Sequence, residues 1–387
     1  MCSKIIIAGN FSCANRGDLA ILRGILNIIK EKDKRKIQII TRDIINARLF
    51  LGSKYDIIDE IDFTKSRNRI YRNLYRLYIL LGLFTLSRKF FAEKDLYDKV
   101  YFVGGAYFID TYGYGKLDLL ASFLYRSKNV QLIGHSVGPF NSFLYKTVSK
   151  RLYKECSFIG IRDMVSLKCV KEKLKLKKNI HLIPDTAFAF IPDLLEKKII
   201  PKIKPKSLTI AMTVRELSPF DKVLKISQEE YSKIFLDLAE FLLSKNVNII
   251  VVSMCTPLNG YHKDDRSTAK DIFNSISNKN FRIIEEELSD LEIGEVFKGC
   301  DLVIGTRLHS CILSMAVGTP AIAVYYEHKS LGVYKKLKLS HLSKLIRELE
   351  NHEEIYDLMQ KTNTSEFNEK LRNIINIEHK FLNSLDL

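Results

Sequence analysis

Four short apolar runs, KIIIAGN, KIQIITRD, KVYFVGG and NVQLIGHSVGP, recur up to Pro139, each closing on glycine or polar residues and each followed by enough chain for a helix. That alternation leaves few folds open, because it specifies βαβ units on a parallel sheet. SFIGI and HLIP continue the series, and LIPDTAFAFIP then gives way to EKKIIPKIKPKS, a lysine- and proline-bearing stretch without apolar periodicity that reads as a linker. Beyond it the pattern restarts with LTIAMTV, the helical YSKIFLDLAEFLLSK, NVNIIVVSM, FRIIEE, DLVIGTR and PAIAVYY. A second parallel sheet is expected there. The tail from His341 is charged and helical in period, which predicts closing helices.

The expected fold class is therefore α/β, with two Rossmann-like domains facing across a cleft. Residues 1–200 form the first, with a basic helical insertion near 64–92. Residues 206–340 form the second, and 341–387 the closing helices. A chain of 387 residues, 46% of them hydrophobic, suffices for two cores.

The formal charge of +16 favours acidic partners. Much of it sits in residues 64–92, where Lys65, Arg67, Arg69, Arg72, Arg76, Arg88 and Lys89 stand among aromatics without any acidic residue. The apolar part of that stretch is shorter than the roughly 20 residues a membrane span requires. It suits a surface helix over a sheet, or one lying at an anionic lipid surface. No RNP, helix-turn-helix or zinc-finger pattern accompanies the charge, so nucleic acid is not an expected partner. Seven scattered cysteines without a C-x-x-C pair suggest neither a disulfide framework nor a metal site. MCSKIIIAGN runs straight into a strand with no secretory pattern. The expected location is the cytoplasm, with peripheral contact at the inner membrane surface allowed.

Parallel strands put their carboxyl ends on one edge, and α/β proteins bind ligands there. The first strand exits into GNFSCANRGD, where Asn15, Gly17 and Asp18 precede a helix, an arrangement that offers backbone N–H groups to an anion. Gly105 and His135 lie in the glycine turns VGGAYFID and GHSVGPF, Arg162 and Asp163 follow SFIGI, and Asp185 follows HLIP. In the second half Arg215 ends LTIAMTV, Arg307 ends DLVIG with His309 two residues on, His262, Asp264 and Asp265 follow NIIVVSM, and Lys329 follows AIAVYY. Arginine, lysine and histidine gathered this way suit a small, multiply anionic substrate.

GNFSCANRGDLAIL, GHSVGPF, the IRD before Ser166, PDTAFAF, TVRE, the DD of YHKDD and TRLHSCILSMAVGTPAIAVYYEHK, in this order and spacing, resemble the polysaccharide pyruvyl transferase family over roughly residues 5–332. The resemblance implies a GT-B-like fold. It implies an enzyme that moves the enolpyruvyl carbons of phosphoenolpyruvate onto two hydroxyls of a sugar in a cell-surface glycan or its precursor, forming a cyclic ketal and releasing phosphate. It also implies donor contacts from Arg162, Arg307, His309 and Lys329. The sequence departs from the family pattern at His135, where glutamine is usual, and at Thr186, where proline is common.

Histidine titrates near working pH, which makes His309 the candidate acid, with Asp18 or Asp185 as base. Arg307 would stabilise charge, while Asn15, Gly17, Gly105, His135, Arg162, Asp185, Arg215 and Lys329 would bind substrate. No metal and no cofactor beyond the donor substrate is required. The alternative from the same architecture is a nucleotide-sugar glycosyltransferase of polysaccharide biosynthesis.

Overall fold

The structure, a computed structural model, describes residues 4–30, 36–60, 77–78, 80–81, 97–177, 179–189, 207–326, 328–385 and 387. Most of the basic stretch 64–92 and the linker residues 196–206 lie outside the described residues. The chain divides into two compact units, one of Met1–Cys13, Ile25–Thr186 and Leu385–Leu387, the other of Ala14–Gly24 and Ala187–Ser384. The sequence-based boundary near residue 200 falls within the residues not described. Assignment of Ala14–Gly24 to the second unit has no counterpart in the sequence reading.

Among the described residues the first unit holds seven parallel strands: β1 (Lys4–Ala8), β2 (Lys36–Thr41), β3 (Asp56–Asp59), β4 (Lys99–Phe108), β5 (Val130–Val137), β6 (Phe158–Ile161) and β7 (Ile180–Leu182). Their order, β3-β2-β1-β4-β5-β6-β7, reverses direction at β1 and β4, as in doubly wound sheets. All eight positions of β5 are buried, because a central parallel strand is covered on both faces. β4 and β5 approach very closely at Gly104, where a Cβ would stand 2.2 Å from the Gly134 carbonyl oxygen. The ladder then shifts register between Gly105 and Phe108.

Among the described residues the second unit holds six parallel strands: β8 (Thr209–Thr213), β9 (Asn248–Val251), β10 (Phe281–Ile283), β11 (Leu302–Gly305), β12 (Ala321–Tyr325) and β13 (Ser343–Leu345), ordered β10-β9-β8-β11-β12-β13. Its helices start as capping rules predict. The Ser227 hydroxyl accepts the Glu230 N–H at the head of Gln228–Ser244, whose Tyr231, Phe235, Leu238 and Leu242 are buried at helical spacing. Ser289 and Glu292 form a capping box ahead of Asp290–Lys298.

Two strands are absent from the sequence reading. β3 is four residues of mixed polarity, and β13 interrupts a tail expected to be helical before the helices His352–Thr362 and Ser365–Ser384. Strands so short lack enough positions to display a period, and their parallel pairing with β2 and β12 defines them. Among the described residues no helix is long and apolar enough to cross a membrane.

Candidate active site

The carboxyl edge of the second sheet is built around the end of β11. Gly305 has no Cβ because one would lie 2.4 Å from the Ser310 Oγ and 2.6 Å from the Cys311 Sγ, so the next helix starts directly on the strand end. That helix runs Leu308–Ala316 with Arg307 at its N-cap, and the arginine side chain caps nothing. It pairs with Asp265 through two parallel bonds, Nε to Oδ2 at 2.7 Å and Nη2 to Oδ1 at 2.6 Å. Asp265 also accepts the Cys255 N–H, at 2.9 Å. Burial is the largest single influence and acts to lower the Arg307 pKa, but Asp265, Cys255 and Tyr326 together outweigh it and hold the guanidinium well above its ordinary value. The pairing uses two of five guanidinium N–H groups at the positive end of a helix, a setting that favours a bound anion.

His309 occupies the second position of the same helix and packs on Gly17, where a Cβ would stand 2.6 Å from its Nδ1. Gly17 arrives there through the segment Ala14–Gly24. The sequence reading starts that helix after Asp18, yet it begins at Arg16, and Asn15 caps it by accepting the Gly17 N–H at 3.0 Å. Asn15 thereby serves the helix terminus, and Asp18 falls in its first turn, nearly buried. Two arginines hold the segment. Arg16, fully buried, donates to Glu287, to Thr256 Oγ1 at 3.1 Å and to the Leu288 carbonyl at 2.6 Å, while its backbone N–H reaches the Met254 carbonyl at 2.9 Å. Arg23 pairs with both oxygens of Asp290, at 2.8 and 2.9 Å.

Tyr261 and Cys255 complete this neighbourhood. Burial first, then Cys255 and the Asp18 carboxylate, push the Tyr261 phenol up, and Arg307 opposes them. Burial pushes the Cys255 thiol up to about 12, which favours the protonated form. Asp18, Arg307 and His309 therefore share one unit with Gly17 against the histidine. Arg215, at the end of β8, stacks on Tyr326 and Phe220 with 4.5 and 5.1 Å to the ring centroids, and donates to the Glu216 carbonyl at 2.8 Å and to the Tyr326 hydroxyl. The helix His328–Lys336 follows β12, but the Lys329 side chain lies outside the described residues.

The first unit contains a different arginine site. Arg162 follows β6 and is nearly fully buried; its Nε donates to Ser136 Oγ at 2.8 Å and its Nη1 to Asp185 Oδ2 at 2.6 Å. Its sequence neighbour Asp163 instead caps the helix Met164–Glu172, accepting the Ser166 N–H at 2.8 Å. His135 has no exposed surface to offer a substrate. Its Nε2 meets the Phe102 carbonyl oxygen at 2.9 Å between the rings of Phe102 and Phe108, and burial lowers its pKa to about 3. The substrate-binding role expected of His135 is thus corrected to a core role, because a neutral ring in an apolar layer is cheaper to bury than a charged one. Gly105 is a buried strand residue at the β4 bulge with φ of +151°, where a Cβ would strike the Tyr107 ring at 2.2 Å.

Sequence reasoning missed the partners that fix these groups. Glu287 and Asp290 stand 271 and 267 residues from the arginines they hold, and no local pattern links them. The capping box at Ser289 was the one local signal near them. In the first unit the buried Glu60 accepts Arg42 Nε at 2.6 Å and Lys116 Nζ at 3.0 Å, a network that no motif announced.

Comparison with known proteins shows the family and the fold. A family model described as polysaccharide pyruvyl transferase matches residues 15–328. The amylovoran biosynthesis protein AmsJ of Erwinia amylovora is 34% identical, with 89% of each chain covered. Among solved structures, the UDP-GlcNAc 2-epimerase of Neisseria meningitidis superposes with a TM-score of 0.55 at 13% identity, covering 98% of this chain and 99% of its own. The spinosyn rhamnosyltransferase SpnG gives 0.52 at 9% identity, covering 98% and 96%. At such identities the likeness concerns the fold alone, two Rossmann-like α/β units of GT-B type.

Proposed function

The chain belongs to the polysaccharide pyruvyl transferase family, and from that premise we propose that it transfers pyruvate from phosphoenolpyruvate to two hydroxyls of one sugar in an exopolysaccharide or its precursor. A relative named for amylovoran biosynthesis supports an acceptor of polysaccharide type. The observation that carries the reading is the start of the helix Leu308–Ala316, where Arg307 and His309 stand with Gly17 and Asp18 in one unit.

Phosphoenolpyruvate bears a carboxylate and a phosphate on three carbons, and a fork-shaped guanidinium at a helix N-terminus answers both needs, charge and geometry. Asp265 keeps that fork in one orientation. His309 delivers a proton to the methylene carbon, the first sugar hydroxyl bonds to C2, and Asp18 takes the hydroxyl proton. The C2–O bond to phosphate then breaks, the second hydroxyl closes the ring on C2, and its proton leaves with phosphate. The products are the ketal and inorganic phosphate. Acid–base assistance of this kind contributes ~10²–10⁴-fold. Lys329 would add a donor contact, and Arg215 would bind substrate through the N–H groups that its stacked rings leave over.

The test is calorimetric titration with phosphoenolpyruvate, followed by phosphate release in a panel of acceptor oligosaccharides with mass analysis of the product. Donor binding and an acceptor-dependent pyruvyl mass are expected. Stabilisation by uridine or guanosine diphosphate without any response to phosphoenolpyruvate overturns the reading in favour of a glycosyltransferase.

A further inference from the structure

Of the large apolar side chains that the first unit exposes, four gather at two neighbouring helix starts: Phe143 at 77%, Leu144 at 53%, Met164 at 48% and Val165 at 46%. Phe143 and Leu144 open the helix Phe143–Glu155 after β5, and Met164 and Val165 open Met164–Glu172 after β6. Right-handed crossovers between successive neighbouring strands put both helices on the same face of the sheet. The chain leaving β5 toward the first helix lies against the second. The Val137 N–H donates to Ser166 Oγ at 2.9 Å, and a Cβ on Gly138 would lie 3.3 Å from Cys169.

Helical spacing then sets the charge around the apolar group. Residues three, four, seven and eleven positions on share a face, so Phe143 is followed on its own stripe by Lys146, Lys150 and Lys154, and Met164 by Lys168 and Lys171. Residues 143–177 contain ten Lys or Arg against three acidic residues. Of those three, Asp163 is buried as a cap, and Glu155 and Glu172 end their helices far from the apolar starts. Glu172 reaches Lys168 only at 4.0 Å, with both side chains well exposed. An apolar tip backed by rows of lysine is a poor match for water, and nucleic acid or an acidic protein would satisfy the lysines while leaving Phe143 and Met164 wet.

We infer that this face is a docking surface for an anionic lipid bilayer. The four apolar side chains enter the headgroup boundary, and the lysine rows lie over lipid phosphates with their aliphatic stems along the surface. This site differs from the basic stretch 64–92, and it stands whether or not the proposed transferase reaction is correct.

The test is sedimentation of the full chain with vesicles of phosphatidylcholine alone and of phosphatidylcholine containing phosphatidylglycerol. Binding is expected only with the anionic vesicles and falls as salt is raised. Changing Phe143→Ser and Leu144→Ser together with Met164→Ser and Val165→Ser lowers the bound fraction by roughly an order of magnitude. Thermal midpoints stay unchanged, since those side chains are exposed. Lys150→Glu with Lys154→Glu weakens binding in a separate variant that keeps the apolar group. Equal sedimentation with neutral and anionic vesicles, no sedimentation with either, or wild-type binding by the fourfold variant each overturns the assignment; in the last case another surface carries the contact.

Discussion

Both units place an arginine after a sheet strand and pair it with an aspartate, but the two pairs serve different ends. In the first unit Arg162 and Asp185 have side chains 3% and 1% exposed, and the arginine also holds Ser136. In the second, Arg307 is 14% exposed over a 2% exposed Asp265 and stands at a helix start beside His309. The histidines divide the same way: His135 is sealed among phenylalanine rings, and His309 is half-buried against a glycine. Position at a strand end therefore does not suffice for chemistry. What distinguishes the Arg307 pair is that Asp265 takes only two of the five N–H groups of a guanidinium that is still partly exposed.

The largest expected effect tests the buried pair. Arg162→Met leaves Asp185 without its partner in an apolar setting and lowers stability by about 3–5 kcal/mol, measured by chemical denaturation. Adding Asp185→Asn restores much of it. A stable Arg162→Met protein with weakened phosphoenolpyruvate binding would reverse the comparison and make Arg162 a donor ligand. Next, Arg307→Met lowers phosphate release by roughly 10²–10³-fold with a smaller change in stability. Equal loss of folding in both arginine variants would erase the distinction.

A third test uses pH. His135 has a folded pKa of about 3, below its ordinary value of 6.5, so between these limits the unfolded chain binds the extra proton. Stability present above pH 6.5 is lost as pH falls toward 3, by up to about 1.4 kcal/mol per pH unit. His135→Gln removes that dependence, visible as a flatter midpoint-against-pH curve; an unchanged curve places the titrating group elsewhere. The smallest effect is expected at Gly17→Ala, whose methyl must displace the His309 ring. Turnover falls roughly tenfold while donor affinity holds, because the acid moves and Arg307 does not.

Much of the layered fold is legible in the chain. KIIIAGN, NVQLIG, NIIVVSM and DLVIG read as strands because parallel strands are buried on both faces and so remain apolar throughout. Asp56–Asp59 and Ser343–Leu345 do not, since their strand character comes from the neighbours they pair with. Arg307 and His309 are legible as site candidates from strand-end position. The sequence reading places Asp18 ahead of the helix, whereas the Asn15 cap moves it into the first turn. His135 looks like a turn ligand and is a core residue, because burial depends on what packs over β5 and not on the glycine beside it.

Local order along the chain, then, set the two α/β units and the strand ends where chemistry could be sought, since apolar period and glycine punctuation act over a few residues. Only the folded structure decided which carboxylate meets which arginine. Arg16 with Glu287, Arg23 with Asp290 and Arg307 with Asp265 bridge 271, 267 and 42 residues. Such pairings follow from the packing that brings the segments together, and ion pairs of this reach leave no periodic trace in the sequence.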